Sequence, residues 1–277
     1  MNPKLFNPDY LLHLCKKYHL RPSKKYCQNF LLSPETIEAM LISAEVNSKD
    51  TVVEVGPGLG ALTFALAARA KKVVAFEIEK KLQIYWDEEI KKINNLEIIC
   101  GNVLKEFSIF NFQNIKYKVV ANLPYQITSR VIRTFLEAEN SPSVMVFMVQ
   151  KEVAERICAK PGDMSLLAIS VQYYAQVEIA ATVPHDLFWP EPKVDSAVIK
   201  ITPFGVRAGA TEESFFKIVK IGFAQRRKLL LKNLEPFFGK KDKLRQIFEQ
   251  IGLPEKVRAQ DLSLEQWRKL VIHLCAL

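Results

Sequence analysis

The sequence lacks the features of several classes of protein. None of its apolar stretches reaches the ~18 residues that a transmembrane helix requires. The opening stretch, MNPKLFNPDYLLHLCKKYHLRPSKK, lacks the compact apolar centre and the small-residue cleavage site of a signal peptide. It also lacks the Arg-rich, acid-poor composition of an organelle-targeting segment. These absences predict a cytoplasmic protein without a membrane partner.

Cysteine is scarce and scattered. The five cysteines are an odd number, and no two of them have the spacing of a pair of metal ligands. This usage is typical of a reducing compartment and argues against a disulfide framework. The sequence therefore predicts that the protein has no metal site.

Acidic residues are outnumbered in this chain of 277 residues. Lys and Arg total 39 against 30 Asp and Glu, which gives a formal net charge of +9. Such an excess favours a polyanionic partner, with nucleic acid first and an anionic membrane surface second. The alternative is a basic surface without a specialised role.

Short, nearly continuous apolar runs alternate with helical periods from about residue 50. The runs of strand length are TVVEV (51–55), KVVAFE (72–77), LEIIC (96–100), YKVVAN (117–122) and SVMVFMV (143–149). This rhythm predicts an α/β fold of Rossmann-like type, with a mostly parallel sheet covered on both faces. Two later runs, 176–183 and 194–202, are expected to form an antiparallel pair at one edge.

The pattern changes at a loop rich in small residues, TPFGVRAGATEES (202–214). We therefore predict a domain over 1–205 and a helical domain over 206–277. Residues 215–238 are expected to form helix, and the amphipathic stretch FAQRRKLLLKN within them carries Arg226, Arg227, Lys228 and Lys232. These cations predict an RNA phosphate track, with a basic arm at 21–26. The alternative is a solvated helix face.

A glycine-rich turn follows the first strand in VVEVGPGLGALT (52–63). Gly56 and Gly58 are expected to bring the backbone close to a ligand. The third glycine comes one position earlier than in the dinucleotide fingerprint, a spacing typical of S-adenosylmethionine sites. The alternative is a purely structural tight turn.

Polar residues end the next two strands at the same edge of the predicted sheet. Glu77 lies roughly 20 residues beyond Gly56, where such sheets place an acid that binds ribose hydroxyls. Asn102 follows the third strand and is predicted to pair with an adenine edge. A solvent-exposed glutamate and an Asx turn are the structural alternatives.

The stretch NLPY ends the fourth strand and suits methyl transfer to an amine. The exocyclic amine of adenine is a poor nucleophile because its lone pair is delocalised into the ring. Asn122 Oδ1 and the Leu123 carbonyl are predicted to accept the two amine N–H bonds, which concentrates that lone pair. Pro124 fixes the turn, and Tyr125 offers a face for stacking a base. The alternative is a turn without chemistry.

The ordered motifs resemble those of one family, the KsgA-type small-subunit rRNA adenine dimethyltransferases, which share their fold with macrolide-resistance methyltransferases. The resemblance covers almost the whole chain. It rests on QNFLL, EVGPGLGALT, FEIE, GNVL, NLPY, MVQKEVAERI, FWPEPKVDSAV and FAQRRKLLLKNL.

The resemblance implies a seven-stranded methyltransferase domain with a small helical domain. It implies S-adenosylmethionine as cofactor and four methyl transfers to two adjacent adenosines in a hairpin near the rRNA 3′ end. By motif, the cofactor contacts would be Asn29, Leu31, Gly56, Glu77, Asn102 and Asn122. Asn122 and Tyr125 would serve the target base, and Phe188 would form a wall of its pocket or part of a rigid loop.

Two positions depart from the family pattern: Asn102 stands where Asp is usual, and Cys27 where Gly is common. Asn102 leaves the affinity for the cofactor open. Cys27 leaves the flexibility of the N-terminal segment open. The expected partner is small-subunit rRNA within a pre-ribosomal subunit, bound by a monomer. Two rival functions are a nicotinamide-dependent oxidoreductase and a non-catalytic assembly or transcription factor with this fold.

Overall fold

The computed structural model describes residues 2–21, 29–107, 112, 115–205, 212–239 and 241–276. The chain divides into two compact units: Met1–Ala154 with Gln176–Pro203, and Glu155–Ala175 with Phe204–Leu277. The change near residue 204 lies close to the boundary predicted from sequence. Residues 155–175, however, pack with the helical unit. The division into domains 1–205 and 206–277 stays a prediction.

Nine strands are described. They are β1 (Phe30–Leu31), β2 (Thr51–Val55), β3 (Lys72–Glu77), β4 (Leu96–Cys100), β5 (Tyr117–Asn122), β6 (Val144–Gln150), β7 (Ala175–Val183), β8 (Phe188–Trp189) and β9 (Ser196–Pro203). β1 and β8 form a two-stranded antiparallel sheet. The other seven form one sheet in the order β4-β3-β2-β5-β6-β9-β7.

The large sheet has the mixed, mostly parallel arrangement predicted from sequence. β2 runs parallel to both β3 and β5, and β4 and β6 extend the parallel set on either side. β9 runs antiparallel to β6, and β7 is the outermost strand beside it. The carboxyl ends of β2, β3, β4 and β5 therefore meet at one edge, where sheets of this type bind ligands.

Twelve α-helices accompany the strands among the described residues. They are α1 (Pro8–Lys17), α2 (Pro34–Ser43), α3 (Ala61–Ala67), α4 (Gln83–Glu89), α5 (Val103–Glu106), α6 (Thr128–Leu136), α7 (Lys151–Ile157), α8 (Leu166–Gln172), α9 (Glu212–Gly222), α10 (Leu230–Phe238), α11 (Lys241–Gln250) and α12 (Leu264–Cys275). In the described residues no helix is long and apolar enough to cross a bilayer.

The core of the first unit lies between the sheet and α2 and α3. Val52, Val73, Val120 and Val146 are fully buried and come from four adjacent strands. β-branched residues on both faces of a strand suit a sheet covered on both sides. Of these four strands, β2, β3 and β5 have the bounds predicted from sequence, while β6 lies one residue later than predicted.

The second unit has a separate apolar core. Ile169 of α8 and Val219 of α9 pack with Leu234 of α10 around the fully buried Trp267 of α12. This packing explains why the segment 155–175 joins the helical unit rather than the sheet.

The structure corrects the helix predicted over residues 215–238. α9 ends at Gly222 and α10 begins at Leu230, so Arg226, Arg227 and Lys228 lie on the turn between two helices. The buried side chain of Asn233 holds this turn, since its Nδ2 donates to the carbonyls of Gly222 (2.6 Å) and Gln225 (3.2 Å). These bonds satisfy carbonyls at the end of α9 and so stabilise the break.

We expect Gly222→Ala to lower the free energy of unfolding by about 1–3 kcal/mol, the usual cost of overpacking a core. A Cβ at Gly222 would overlap the buried ring of Trp267 and lie 3.0 Å from Leu230 Cδ1. Alanine's better helix propensity offsets at most about 1 kcal/mol of that loss. Urea denaturation measures the difference.

The control is the same substitution in a Trp267→Leu background, where the ring has been removed. There Gly222→Ala should cost much less, and the double-mutant cycle should show a clear coupling energy. Equal costs in the two backgrounds would contradict this packing.

Candidate active site

The glycine turn after β2 has the backbone conformation that its sequence predicts. Gly56 and Gly58 have φ angles of 72° and 55°, in the left-handed region where a side chain is strained. The N–H of Gly56 donates to the carbonyl of Phe76 at 2.9 Å, which fixes the turn against β3. The turn and the end of β3 therefore line the same cleft.

Glu77 ends β3 and lies beside this turn, where it lines the cleft although it is only 5% exposed. Its Oε2 accepts the N–H of Gly58 at 3.0 Å, and its Oε1 accepts the N–H of Glu79 at 2.8 Å. Burial raises the pKa of Glu77, while these backbone donors oppose the rise. The N–H of Ile78 is a third backbone donor to this carboxylate, which can accept about four hydrogen bonds and so keeps capacity for a further donor such as a hydroxyl.

Glu54 is a residue of the cleft that the sequence reasoning missed. It lies within β2, is 1% exposed and lines the cleft. Among the described residues its Oε2 has no hydrogen-bond partner, and burial raises the pKa of Glu54 to about 8. The signal was available, because Glu54 is the one charged residue in the apolar run TVVEV.

Residues 122–125 line the cleft beside the glycine turn, since β5 is the neighbour of β2. The N–H of Leu123 donates to the carbonyl of Met148 at 3.1 Å. In the described part of the chain, no donor bonds the Leu123 carbonyl or Asn122 Oδ1. Asn122 Nδ2 makes a long contact, 3.5 Å, with the carbonyl of Asn29. Both predicted acceptors of the amine are thus available.

The turn after β5 lies close to the glycine turn. A Cβ built at Gly56 would lie 4.0 Å from Pro124 Cδ, and both residues line the cleft. Tyr125, the next residue, is hydrogen-bonded through its hydroxyl to Ser196 Oγ at 2.9 Å. Ser196 is fully buried, so the Tyr125 ring is held from the side of β9.

The two-stranded sheet brings the N-terminal motif to the cleft. Leu31 of β1 is opposite Phe188 of β8, and both side chains are buried and line the cleft with Asn29. Phe30 stacks on Trp189 with ring centroids 6.1 Å apart and packs on the glycine turn near Gly58. Residues 22–28 lie outside the described residues, and they include most of the basic arm predicted at 21–26 as well as Cys27 and Gln28.

Asn102 differs from the other predicted cofactor residues in its position. Its Oδ1 accepts the N–H of Leu104 at 3.1 Å and so caps α5, and Asn102 does not line the cleft. The neighbouring Gly101 N–H donates to the carbonyl of Glu77 at 2.8 Å, which keeps the residue at the same edge of the sheet. A cofactor contact through Asn102 stays a prediction.

The N-terminal segment also contributes to the cleft, which the sequence reasoning did not foresee. Leu5 and Leu11 are buried and line it. Asn2 and Asn7 each accept backbone N–H groups at the start of a helical turn and are each followed by proline. Asn-Pro is a recognisable helix start, so this segment could have been predicted as helical.

The predicted RNA-binding cations lie on the exposed turn between α9 and α10. Arg226 Nε is 3.4 Å from Gln260 Oε1, while Arg227 and Lys228 are exposed. The second unit therefore presents three adjacent cations to solvent. Across the described ranges, no three His, Cys, Asp or Glu side chains come together as a metal site requires.

Comparison with known proteins identifies the family. A family model described as ribosomal RNA adenine dimethylase matches residues 20–275. A Dehalococcoides mccartyi protein named Ribosomal RNA small subunit methyltransferase A is 42% identical over 259 residues, covering 92% of this chain and 89% of that protein. A Bacillus cereus protein of the same name is 39% identical and covers 96% of this chain and 97% of its own.

Solved structures agree with the sequence match. A dimethyladenosine transferase from Plasmodium falciparum is similar with a TM-score of 0.76 at 26% identity, covering 89% of this chain and 97% of that chain. The 23S rRNA methyltransferase ErmE gives a TM-score of 0.73 at 26% identity, covering 89% of this chain and all of its own. The chain therefore belongs to the ribosomal RNA adenine dimethylase family.

Proposed function

We propose that this protein dimethylates the N6 amines of two adjacent adenosines in a hairpin near the 3′ end of small-subunit rRNA, with S-adenosylmethionine as the methyl donor. The observation that carries the proposal is that the glycine turn and the NLPY turn line one cleft. Gly56 and Pro124 lie close together there, so a cofactor site and an amine-activating site would share that cleft. The names of the relatives support the same activity.

The residues of the cleft fit the cofactor. A buried carboxylate without a partner is costly unless it is protonated or meets a cation. Glu54 is buried with its Oε2 unbonded, and S-adenosylmethionine carries an ammonium and a sulfonium that could meet that oxygen. Glu77 would accept ribose hydroxyls with its remaining lone pairs, as acids at this strand end do. The glycine turn would let the backbone approach the ligand closely.

The protein's own groups would promote methyl transfer by aligning the two reactants and by electrostatic interactions with the amine. Bound S-adenosylmethionine supplies a reactive methyl group on its sulfonium. Asn122 Oδ1 and the Leu123 carbonyl would accept the two N–H bonds of the adenine amine and favour a pyramidal nitrogen with a localised lone pair. After methyl transfer, the extra proton leaves the amine for solvent. This scheme needs no metal and no side-chain base.

The target base must leave its stack to reach this cleft, at a cost of a few kcal/mol. Tyr125 would stack on the extruded base, a contact worth ~1–3 kcal/mol per base. Phe188 would close the opposite wall, since it is buried and lines the cleft. These two aromatic residues would offset the cost of extrusion.

Recognition would rest on the shape and charge of RNA within a pre-ribosomal subunit. The net charge of +9 and the exposed cations of the α9–α10 turn support this partner. In this proposal the protein acts as a monomer in the cytoplasm, where small subunits are assembled. Light scattering of the isolated protein tests whether it is a monomer.

We expect Asn122→Ala to lower kcat by about 10²–10³-fold, the usual loss when one preorganised hydrogen-bonding group is removed from a reacting centre. The assay uses labelled S-adenosylmethionine at saturation with under-methylated small subunits, and mass spectrometry scores dimethyladenosine. Asn94→Ala, at an exposed turn, is the matched control and should keep full activity.

Retained subunit binding by Asn122→Ala would show that binding and catalysis are separate. A wild-type protein that binds subunits without methyl incorporation would instead be an assembly factor. That result would refute the proposed enzyme.

We expect S-adenosylmethionine to bind more tightly as the pH rises from 6 to 7.5. The pKa of Glu54 is raised to about 8, so the carboxyl is mostly protonated in this range and must release its proton to pair with a cation. Affinity should rise towards ten-fold per pH unit, and calorimetry in buffers of different ionisation enthalpy should detect proton release.

Glu54→Gln should bind the cofactor more weakly and lose this pH dependence. Glu89→Gln, at a half-buried position on α4 that does not line the cleft, is the matched control and should keep it. A Glu54→Gln variant with the wild-type pH profile would show that this carboxyl does not meet the cofactor.

We expect Arg227→Ala to weaken subunit binding and to reduce the slope of log affinity against log salt by about 1, because one phosphate contact is lost. Filter binding over a range of salt concentrations measures both quantities. Lys49→Ala removes one exposed cation at the opposite, amino edge of the sheet and serves as the charge-matched control. Equal slopes for the two variants would argue against a phosphate track on the α9–α10 turn.

A further inference from the structure

The segment between β7 and β9 is tied together at its base by one pair of residues. The backbone N–H of His185 donates to Asp195 Oδ1 at 3.1 Å, and the His185 ring Nδ1 lies 2.7 Å from the same oxygen. His185 is two residues beyond the end of β7, and Asp195 is the residue before β9. The pair therefore closes a loop, which we call the 185–195 loop.

This loop carries one wall of the cleft. Phe188 lies within it, lines the cleft and pairs with Leu31 of β1. The carbonyl of Leu187 accepts the N–H of Leu32 at 2.8 Å, which extends the same attachment. The position of this wall therefore depends on how the loop is held.

The other end of the loop meets the opposite wall. Asp195 is followed directly by Ser196, whose hydroxyl is hydrogen-bonded to Tyr125 at 2.9 Å. The backbone carbonyl of Asp195 also accepts the N–H of Lys151 at 3.0 Å, at the end of β6. A single residue pair thus adjoins both aromatic groups that would hold the target base.

The charges around His185 favour its protonated form. Asp195 faces Nδ1, Glu191 Oε1 is 3.3 Å from Nε2, and Asp186 is also close. The hydrogen bond to Asp195 raises the pKa of His185, and the same bond lowers the pKa of Asp195, with Lys151 adding to the latter. The charged pair is therefore complete at low pH and is lost as the pH rises through the raised pKa of His185.

We propose that His185 and Asp195 are positioning residues for the target base, and that protonated His185 holds the 185–195 loop in the geometry that methyl transfer needs. The inference rests on the proposed function and adds that the rate of methyl transfer depends on pH through this pair. Neither residue would touch the cofactor or the reacting amine. Their effect would reach the base through Phe188 and through Ser196 and Tyr125.

The expected effect is on kcat rather than on binding. Exposed ion pairs stabilise proteins little, so the pair is not expected to decide whether the protein folds. Small misplacements at a reacting centre, however, lower rates strongly. The loop would meet only the extruded base, whereas phosphate contacts elsewhere would set the affinity for RNA.

The test measures kcat from pH 6 to 9 at saturating cofactor and RNA, so that titration of Glu54 in the free protein does not enter. Wild-type kcat should fall about two- to five-fold as the pH rises through the pKa of His185, while KM for the subunit stays within about two-fold. His185→Gln should show no such fall and should remain at the high-pH level. His185→Lys, which stays charged over this range, should restore the higher level without the fall.

Two further variants complete the design. His273→Gln removes a half-buried histidine on α12 and should keep the wild-type profile. Asp195→Asn keeps an acceptor for the backbone N–H of His185 but loses the charge, so its profile should be flat. In the NMR titration of the wild type, the pKa of His185 should lie above 6.5 and fall in Asp195→Asn.

The outcomes separate the two claims. A wild-type protein that forms no dimethyladenosine would refute the proposed function, while the NMR titration would still report on the pair. Normal methylation, with a His185→Gln variant that keeps both the wild-type kcat and its fall with pH, would overturn the positioning role alone.

Discussion

The buried carboxylate of Glu54 is the constraint on which the cleft depends. A charge with 1% exposure and an unbonded oxygen is unfavourable in an apolar strand, so the group is either protonated or paired with a cation. A cationic ligand at this point relieves a cost that the fold itself imposes. In the proposed function, this carboxylate suits the cleft to a positively charged cofactor before any RNA is bound.

The topology of the sheet explains why cofactor and base would meet there. β2 and β5 are far apart in sequence but adjacent and parallel, so their carboxyl ends lie at one edge. The glycine turn follows one strand and NLPY follows the other. In the proposed function, the alignment of the two reactants is therefore a consequence of strand order, and Tyr125 after β5 and Phe188 on β8 would only have to hold the base.

Sequence alone predicted the sheet well and the helical unit less well. Strands such as 72–77 are continuous apolar runs ended by polar residues, so their bounds can be read directly. The break between α9 and α10 at 223–229 could not be predicted from sequence, because the apolar periodicity continues through it. What ends α9 is the distant Trp267, which leaves no room beyond a glycine, and the side chain of Asn233. The role of Asn102 was also ambiguous from sequence, since a side-chain amide can either cap a helix or bind a ligand.

The most direct test is a structure of the protein with S-adenosylhomocysteine and an RNA hairpin that contains the two adenosines. The account predicts an extruded adenine whose N6 lies about 3 Å from both Asn122 Oδ1 and the Leu123 carbonyl. An adenine bound elsewhere, or one whose amine is bonded to other groups, would contradict it.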